Sequence, residues 1–520
     1  MPENIVALIY VLAVATAIFV VGRRPIVENF IDPADYARRR NLWFAITLLL
    51  FLSYSYWIYT IVSGILIAAC AKRDRNPLAI YSLLLCIAPP HEISLSGLGI
   101  VNRLFDLDHY RFLSLLVLLP LAVRLYQTRH DRAPPPKGID AMVRAYVFVV
   151  FASYGVHSES ATAALRSCFQ LTLDMWLPYY CASRALRDRA AFRDVAASLV
   201  IGMAIMGVLG AFESARHWLL YDSLKAALGL PPADFLSYLG RGSDGPLRAL
   251  VTMGHPIVLG YSMAVTLAFF LFLAPKLTPR WVRWAAAGAL AMGLISPFSR
   301  GPWLGAAAML LTVSYLGRGG TKRVVRLGCA VGFATVFLLM TPLSDKVFRY
   351  LPFVGNVETD TIDYRKQLFD VSVVVLKQNP WLGDPFFLQN PLMEQMRQGQ
   401  GIIDMVNTYL QIALPYGVIG LILFVIPFVS SMRSVWKTAR QHDGDEEIER
   451  LGRTLVGAVV AILVTISTVS SIMVLPIMYW FVLGLCGSFI AAFATVRAPG
   501  HVRMRSAIPT VEGGLRQRGR

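Results

Sequence analysis

The sequence predicts an all-α, polytopic membrane protein, and composition and hydropathy lead to that fold class. Of the 520 residues, 56% are hydrophobic and only 16% are charged, and the mean hydropathy of +0.55 lies outside the range of soluble domains. Apolar runs of about 17 to 25 residues recur, each long enough to cross roughly 30 Å of hydrocarbon. Helices are the expected spanning elements because each satisfies its own backbone hydrogen bonds.

The clearest candidate spans begin at residue 142, and the connectors between them alternate in charge. Counting spans places the basic connectors on one side, which the positive-inside rule assigns to the cytoplasm. By the same parity, segments 91–109, 216–256, 297–302 and 341–406 face outward. The candidate spans are 142–156, 165–182, 191–212, 257–273, 284–295, 304–315, 327–340, 409–429, 455–474 and 477–496.

The first fifth of the chain allows two arrangements. The run at 5–21 has an acidic leader, so it is predicted to be a first anchor and not a cleavable signal. If 41–71 is one tilted helix, the arginines before it face outward, against the positive-inside rule; if 53–59 is a turn between two short helices, they face inward. The expected total is therefore about 12 to 15 spans. The arginines concerned are Arg23, Arg24, Arg38, Arg39 and Arg40.

Four regions follow from this pattern. Residues 1–340 are predicted to be transmembrane helices with short loops, 341–406 a large periplasmic loop, 407–497 further transmembrane helices, and 498–520 a disordered basic cytoplasmic tail. In the large loop, apolar residues recur at helical spacing over 360–377, which indicates an amphipathic helix on the membrane surface. Since this loop is the longest polar stretch, chemistry is expected there.

The net charge of +17 does not indicate nucleic-acid binding, because the cations are spread over many connectors and the tail. The six cysteines lie in or beside apolar runs without the paired spacing of a metal or redox motif, so they are interpreted as core residues. They are Cys70, Cys86, Cys168, Cys181, Cys329 and Cys486.

Three outward segments each carry an arginine near the membrane surface: Arg248, Arg300 and Arg365. A guanidinium fork donates two parallel hydrogen bonds and stays charged, which suits it to a diphosphate. Arginines at span ends also snorkel, cap helices or pair with carboxylates. Arg300 is the strongest candidate, because the prolines at 297 and 302 constrain its short connector.

Four further polar residues have a functional and a structural interpretation. His255, at the start of a span, is either a general base or a capping or interface residue. Asp404 and Asn407 share one helix face if the helix begins early; otherwise Asp404 caps the helix and Asn407 packs between helices. Asp174 lies inside an apolar run and is either paired, for example with Arg144, or part of a proton relay.

The order of these motifs resembles the superfamily of O-antigen ligases and Wzy-type polysaccharide polymerases, over about 248–424. An arginine and Gly-His-Pro precede one span, and Ser-Arg-Gly precedes a later one. A long outward loop follows, with an arginine-bearing helix, Asn-Pro-Trp-Leu-Gly, and Asn-x-x-Leu before a glycine-punctuated helix.

The resemblance implies a GT-C-like glycosyltransferase at the periplasmic face of the bacterial inner membrane. It would transfer a glycan from undecaprenyl diphosphate to an acceptor hydroxyl, on a lipid A core in ligases or on another lipid-linked repeat unit in polymerases. Arg248, Arg300, Arg365 and Asn407 would bind substrate, with Arg300 also acting in catalysis. No metal or cofactor is expected, since the ligases are thought to work without a metal. Other expected partners are the bilayer and a chain-length regulator or export proteins.

One position departs from the family pattern. Family ligases commonly carry a histidine directly before the asparagine that Asn407 matches, and this chain has Val406 there. Asp404 and His255 are then the candidate proton acceptors, and a lipid A core ligase is less favoured than a polymerase. A flippase for the same lipid-linked glycans and a protein O-oligosaccharyltransferase are the alternatives.

Overall fold

The computed structural model describes residues 2–97, 103–128, 137–229, 247–339, 359–398, 401–442 and 444–494, and the chain there is largely helical. The predicted tail at 498–520 and residues 341–358 of the long segment lie outside the described residues. The helices are α1 Glu3–Asn29, α2 Pro33–Leu52, α3 Tyr56–Arg73, α4 Pro77–Leu84, α5 His109–Leu113, α6 Leu119–Gln127, α7 Lys137–His157, α8 Ala161–Leu171, α9 Leu177–Ala185, α10 Arg189–Arg216, α11 Ser223–Ala227, α12 Pro256–Leu273, α13 Arg280–Ile295, α14 Arg300–Tyr315, α15 Gly320–Leu339, α16 Thr359–Gln378, α17 Pro391–Glu394, α18 Thr408–Gln441, α19 Glu446–Ile466 and α20 Val474–Phe493.

Seven helical stretches among the described residues are long and apolar enough to cross a membrane. This confirms a helical membrane protein, while the total of 12 to 15 spans and the GT-C-like fold stay predictions. The seven are Glu3–Asn29, His109–Gln127, Lys137–His157, Arg189–Arg216, Pro256–Lys276, Thr408–Gln441 and Val474–Phe493.

One small sheet interrupts the helices. Strand β1, Ile93–Ser96, pairs antiparallel with β2, Arg103–Leu107. The sequence did not predict this hairpin, because strands this short carry too few alternating residues to be told from a loop.

The first fifth of the chain has the turn between two helices. Helix α2 ends at Leu52, Tyr54 has a left-handed φ of 48°, and Ser55 caps α3. The Arg39 side chain, only 2% exposed, pairs with Asp74 at 2.7 Å and with Asp194. Since Asp194 lies near the start of α10, Arg39 lies at the same end of the molecule as the basic connectors.

Ion pairs hold the basic connectors together at that end. Arg193 and Lys276, from two different connectors, both bind Glu447 near the start of α19, the lysine at 2.9 Å. Arg189 binds Asp445 at 2.5 Å. The predicted grouping of the basic connectors is therefore present, and the opposite end holds the connectors that carry the candidate site residues.

The long segment builds a hydrophobic cluster of its own. The apolar face of α16 packs into this cluster, with Leu368 and Val375 buried. Three methionines from the loop and the first turns of α18 complete it, so protein covers this part of the apolar face, while Phe369 and Val374 stay exposed. The position of α16 on the membrane surface stays a prediction. Periodicity alone could not predict that the methionines pack against α16, because they lie in a segment whose composition predicts a polar loop. They are Met393, Met396 and Met405.

Candidate functional site

The candidate site lies at the end of the molecule opposite the basic connectors, where the other connectors meet the long segment. The connector at 467–473, between α19 and α20, forms one side and is tied to the start of α18. Thr408 donates its hydroxyl to the carbonyl of Val469 at 2.7 Å, and the N–H of Ser471 donates to Gln411 Oε1 at 2.6 Å. These bonds give the site a fixed wall that the sequence did not identify.

Arg248 holds the connector before α14. Its Nε donates to the carbonyl of Pro297 at 3.1 Å, and its Nη2 donates to Ser299 Oγ at 2.9 Å. The segment around Arg248 is anchored in turn by the buried carboxylate of Glu213 on α10. That carboxylate accepts the N–H groups of residues 250 and 251 at 3.1 and 2.9 Å. Glu213 was missed, although a lone carboxylate in an apolar helix was the available signal.

Arg300 is the first residue of α14, and its side chain is turned inward. Its Nε and Nη2 are buried and, within the part of the chain that the structure describes, have no hydrogen-bond partner. Two buried guanidinium donors without acceptors cost free energy, because water is lost and nothing replaces it. These two donors are therefore available to an acceptor from outside the described part of the chain.

Arg365 approaches from the long segment. Its Nη1 donates to the carbonyl of Thr468 at 3.3 Å, which joins α16 to the wall at 467–473. Burial lowers the pKa of the Arg365 guanidinium; Asp404 opposes that shift and Arg300 adds to it. Arg300 and Arg365 thus act on each other electrostatically, and Asp404 lies close enough to affect Arg365.

Asp404 is held in an extended segment before α18. Its Oδ1 accepts the Ser470 hydroxyl at 2.7 Å and the N–H of Val406 at 3.2 Å. Its carbonyl accepts the Tyr364 hydroxyl at 3.0 Å. Because α18 begins at Thr408, Asp404 is not on the helix, and the predicted shared face with Asn407 is wrong.

Asn407 is the N-cap of α18. Its Oδ1 accepts the N–H groups of Tyr409 and Leu410 at 2.9 and 3.4 Å. Capping by Asn407, not by Asp404, therefore fixes where the helix starts. A direct contact of Asn407 with substrate stays a prediction.

His255 caps α12. Its Nδ1 accepts the N–H of Ile257 at 3.2 Å. Burial, helped by the charge of Arg248 and opposed by Asp404, lowers the pKa of the imidazole from 6.5 to about 4. His255 is therefore neutral at physiological pH, and the two charged residues that affect it belong to the same site.

Val406, the position of the expected family histidine, has a left-handed φ of 40°. Its side chain packs against the hydrophobic cluster of the long segment. Three other non-glycine residues in the connectors of this site also have positive φ, and such strained backbone is often found at functional sites. They are Val251 at 49°, Phe298 at 48° and Met473 at 50°.

Asp174 lies outside this cluster and has a different partner from the expected one. Arg111 binds it with Nη2 at 2.9 Å and also binds Glu92 at 2.9 Å. Arg144 instead lies 3.8 Å from Asp140 on its own helix and is 62% exposed. The pairing with Arg144 is therefore wrong, since the hairpin-side residue Arg111 was not recognised as a neighbour.

Family comparison decides which proteins this arrangement is related to. Residues 285–425 match the family model described as O-antigen ligase. This match confirms the predicted resemblance to the superfamily of O-antigen ligases and Wzy-type polymerases. The matched O-antigen ligase region contains Arg300, Arg365, Asp404 and Asn407, whereas Arg248 precedes it. No curated protein matches the chain.

The site brings two kinds of chemistry together. Arg300, whose buried Nε and Nη2 lack acceptors among the described residues, interacts electrostatically with Arg365 beside Asp404, whose carboxylate accepts the Ser470 hydroxyl. Across the described ranges, no three His, Cys, Asp or Glu side chains are grouped so that they could hold a metal ion. The arrangement suits an anionic leaving group beside a proton acceptor.

Proposed function

We propose that this protein is a membrane glycosyltransferase that polymerises or ligates undecaprenyl-diphosphate-linked glycans at the periplasmic face of the bacterial inner membrane. The observation that supports this most is Arg300, whose buried Nε and Nη2 have no acceptor in the described chain. A diphosphate supplies such acceptors in a geometry that a guanidinium matches. The O-antigen ligase match over 285–425 supports the same class of reaction.

Arg300 and Arg365 bind the diphosphate in this proposal, and Arg248 adds positive charge while it holds the connector before α14. The N-termini of α12 and α14 lie at the same site. Arg248 bonds to Ser299, the N-cap of α14, and acts electrostatically on His255, the N-cap of α12. Each helix start carries a partial positive charge that favours a phosphate. The donor is therefore held by charge and by oriented backbone together.

The reaction moves one glycan and one proton. The bond between the anomeric carbon and the diphosphate oxygen breaks, and its electron pair leaves on the diphosphate, where Arg300 and Arg365 stabilise the charge. The acceptor hydroxyl oxygen forms the new bond to that carbon. Its proton passes to the carboxylate of Asp404, which Ser470 orients at 2.7 Å. Asp404 is preferred to His255 because the Nδ1 of His255 already accepts a helix N–H.

The long loop at 341–406 covers the acceptor and excludes water in this proposal, between the transmembrane regions 1–340 and 407–497. Transport is less favoured than transfer. Its support was a pair of Asp174 with Arg144 inside the spans. Asp174 instead pairs with Arg111, in the first turn of a candidate span, and the other candidate residues lie in connectors. A protein O-oligosaccharyltransferase would differ only in the acceptor.

The test is transfer by purified protein given a lipid-linked glycan as donor. Arg300→Ala is expected to lower the rate about a hundredfold to a thousandfold, as loss of one donor to a developing anion does. Arg300→Lys keeps the charge but loses the fork, so a partial loss is expected. A longer lipid-linked product identifies a polymerase, and transfer to a separate acceptor identifies a ligase.

Arg397→Ala is the matched control, because Arg397 lies in the same long segment, is exposed, and pairs with Glu394 at 2.6 Å. It should transfer glycan at the unaltered rate. Normal surface glycan length and attachment with Arg300→Ala, at normal protein levels in cells, would remove Arg300 from the mechanism. Movement of lipid-linked glycan across liposomes without any product would favour transport.

A further inference from the structure

A polar pocket lies at the basic end of the molecule, far from the candidate site. The connector between α14 and α15, the last turns of α18 and the start of α19 enclose it, with Arg318, Arg440 and Glu449 in its lining. It contains about 1160 Å³ of space including its open mouth. The space is ample for a small anion and the side chains that would bind it.

Two arginines converge beside this pocket on Gly317. A Cβ added to Gly317 would overlap Nη1 of Arg453 and lie 2.8 Å from Nη1 of Arg323. The two guanidinium groups therefore approach one point, and they reach it only because residue 317 has no side chain. Like charges brought together in this way repel, unless an anion lies between or beside them.

One donor of the Arg453 side chain also lacks an acceptor. Its Nε is buried and unpaired in the ranges the structure describes. Arg323 and Arg450 repel its charge, while Glu449 and Glu446 attract it. The Glu449 carboxylate is shared, because its Oε2 also lies 3.7 Å from Arg318 Nε.

The pocket has an excess of positive charge. Arg318 and Arg440 line it together with Glu449, and Arg323 and Arg453 add their charge at Gly317, which is also part of the lining. The Arg440 guanidinium lies 5.8 Å from the ring of Trp436, which helps to hold it over the pocket. A buried donor together with more arginines than carboxylates is the chemistry of an anion site, and arginine forks match phosphate oxygens.

We propose that this pocket binds a phosphate group, supplied either by the headgroup of an anionic lipid or by free phosphate. Arg453 and Arg323 hold the phosphate at Gly317, and Arg318 and Arg440 complete its neutralisation. The bound group joins α14, α18 and α19, which are the helices whose opposite ends carry or adjoin Arg300, Asp404 and Thr468. The site is separate from the proposed diphosphate site and does not depend on it.

The test measures thermal unfolding of the full-length protein in two settings. In detergent, inorganic phosphate is titrated against sodium chloride at equal ionic strength. In nanodiscs, phosphatidylcholine alone is compared with phosphatidylcholine containing phosphatidylglycerol. A rise in the unfolding midpoint with phosphate identifies free phosphate as a ligand, and a rise only with phosphatidylglycerol identifies the lipid headgroup.

Two variants test the residues. Arg453→Gln should lower the affinity for the stabilising ligand about tenfold or more, as loss of a charged hydrogen bond does. Gly317→Ala keeps both arginines but forces their flexible ends apart, so it should lower the affinity for the ligand without removing charge. It also keeps the test usable if Arg453→Gln does not fold.

Arg433→Gln is the matched control, because Arg433 is an exposed arginine on α18 outside the pocket lining. It should leave the stabilisation unchanged. The proposal would be overturned if sodium chloride raised the unfolding midpoint as much as phosphate did, or if the midpoint rose in neither setting. It would also be overturned if Arg433→Gln and Arg453→Gln reduced the ligand's stabilising effect equally.

Discussion

Gly383 and Gly417 lie back to back, with their backbones in direct contact. A Cβ on Gly383 would lie 2.5 Å from the nitrogen of Gly417. Both have left-handed φ, 72° and 65°. Hydrogen bonds flank the contact: Asp384 donates its N–H to the carbonyl of Leu414 at 2.8 Å, and residue 418 donates to that of Pro380 at 2.8 Å. The Asn-Pro-Trp-Leu-Gly motif is therefore a joint that fastens the long segment to the kink in α18.

Gly417→Ala should break this joint. The new methyl group would overlap the carbonyl of Trp381, and alanine does not readily adopt φ of 65°. We expect a loss of about 1 to 3 kcal/mol or more in stability. Thermal unfolding in detergent measures it. Gly288→Ala, where a Cβ meets nothing within 4 Å, should be neutral or slightly stabilising. Equal effects of the two changes would refute the joint.

His255→Asn separates capping from catalysis. Asparagine caps a helix as well as histidine does but cannot take a proton near neutral pH. We expect transfer activity within a few-fold of the unaltered rate, with the same dependence between about pH 5.5 and 7.5. A large loss of activity would make His255 the base.

The same variant should change acid stability. Because the pKa of His255 is lowered from 6.5 to about 4, burial favours its neutral form. That contribution is fully present above pH 6.5 and is lost as the pH falls toward 4. His255→Asn should therefore lose less stability over this interval, as unfolding midpoints at several pH values would show.

Ser470→Ala tests whether Asp404 must be oriented. Removing the 2.7 Å hydrogen bond to Oδ1 should lower kcat about tenfold, because one charged hydrogen bond is lost, and should leave KM for the donor unchanged. Ser467→Ala is the control, since Ser467 lies in the same connector and donates only to its own helix, at Val464. A KM effect alone would mean that Ser470 acts in binding.

Arg111→Ala tests the corrected partner of Asp174. It leaves Asp174 and Glu92 without their shared cation, and we expect a loss of about 2 to 3 kcal/mol, limited by the partial exposure of the pair. Arg144→Ala should stay within about 0.5 kcal/mol, because Arg144 is largely exposed. Unfolding midpoints of the two variants give the comparison. A larger loss of stability with Arg144→Ala than with Arg111→Ala would support the pairing of Asp174 with Arg144.

The sequence by itself determined a helical membrane protein, the grouping of basic connectors at one end, and the motif order that resembles O-antigen ligases. These properties are local, since hydropathy, charge and spacing are read within one segment at a time. For the same reason it identified Arg248, Arg300 and Arg365 as candidates.

Only the tertiary structure decided which side chains meet. It left Arg300 Nε and Nη2 without an acceptor among the described residues. It used His255 and Asn407 as helix caps, bonded Ser470 to Asp404, and paired Asp174 with Arg111. Each of these outcomes depends on packing between segments far apart in the chain, where one side chain's partner is set by the positions of several helices. No period or spacing within a single segment contains that information.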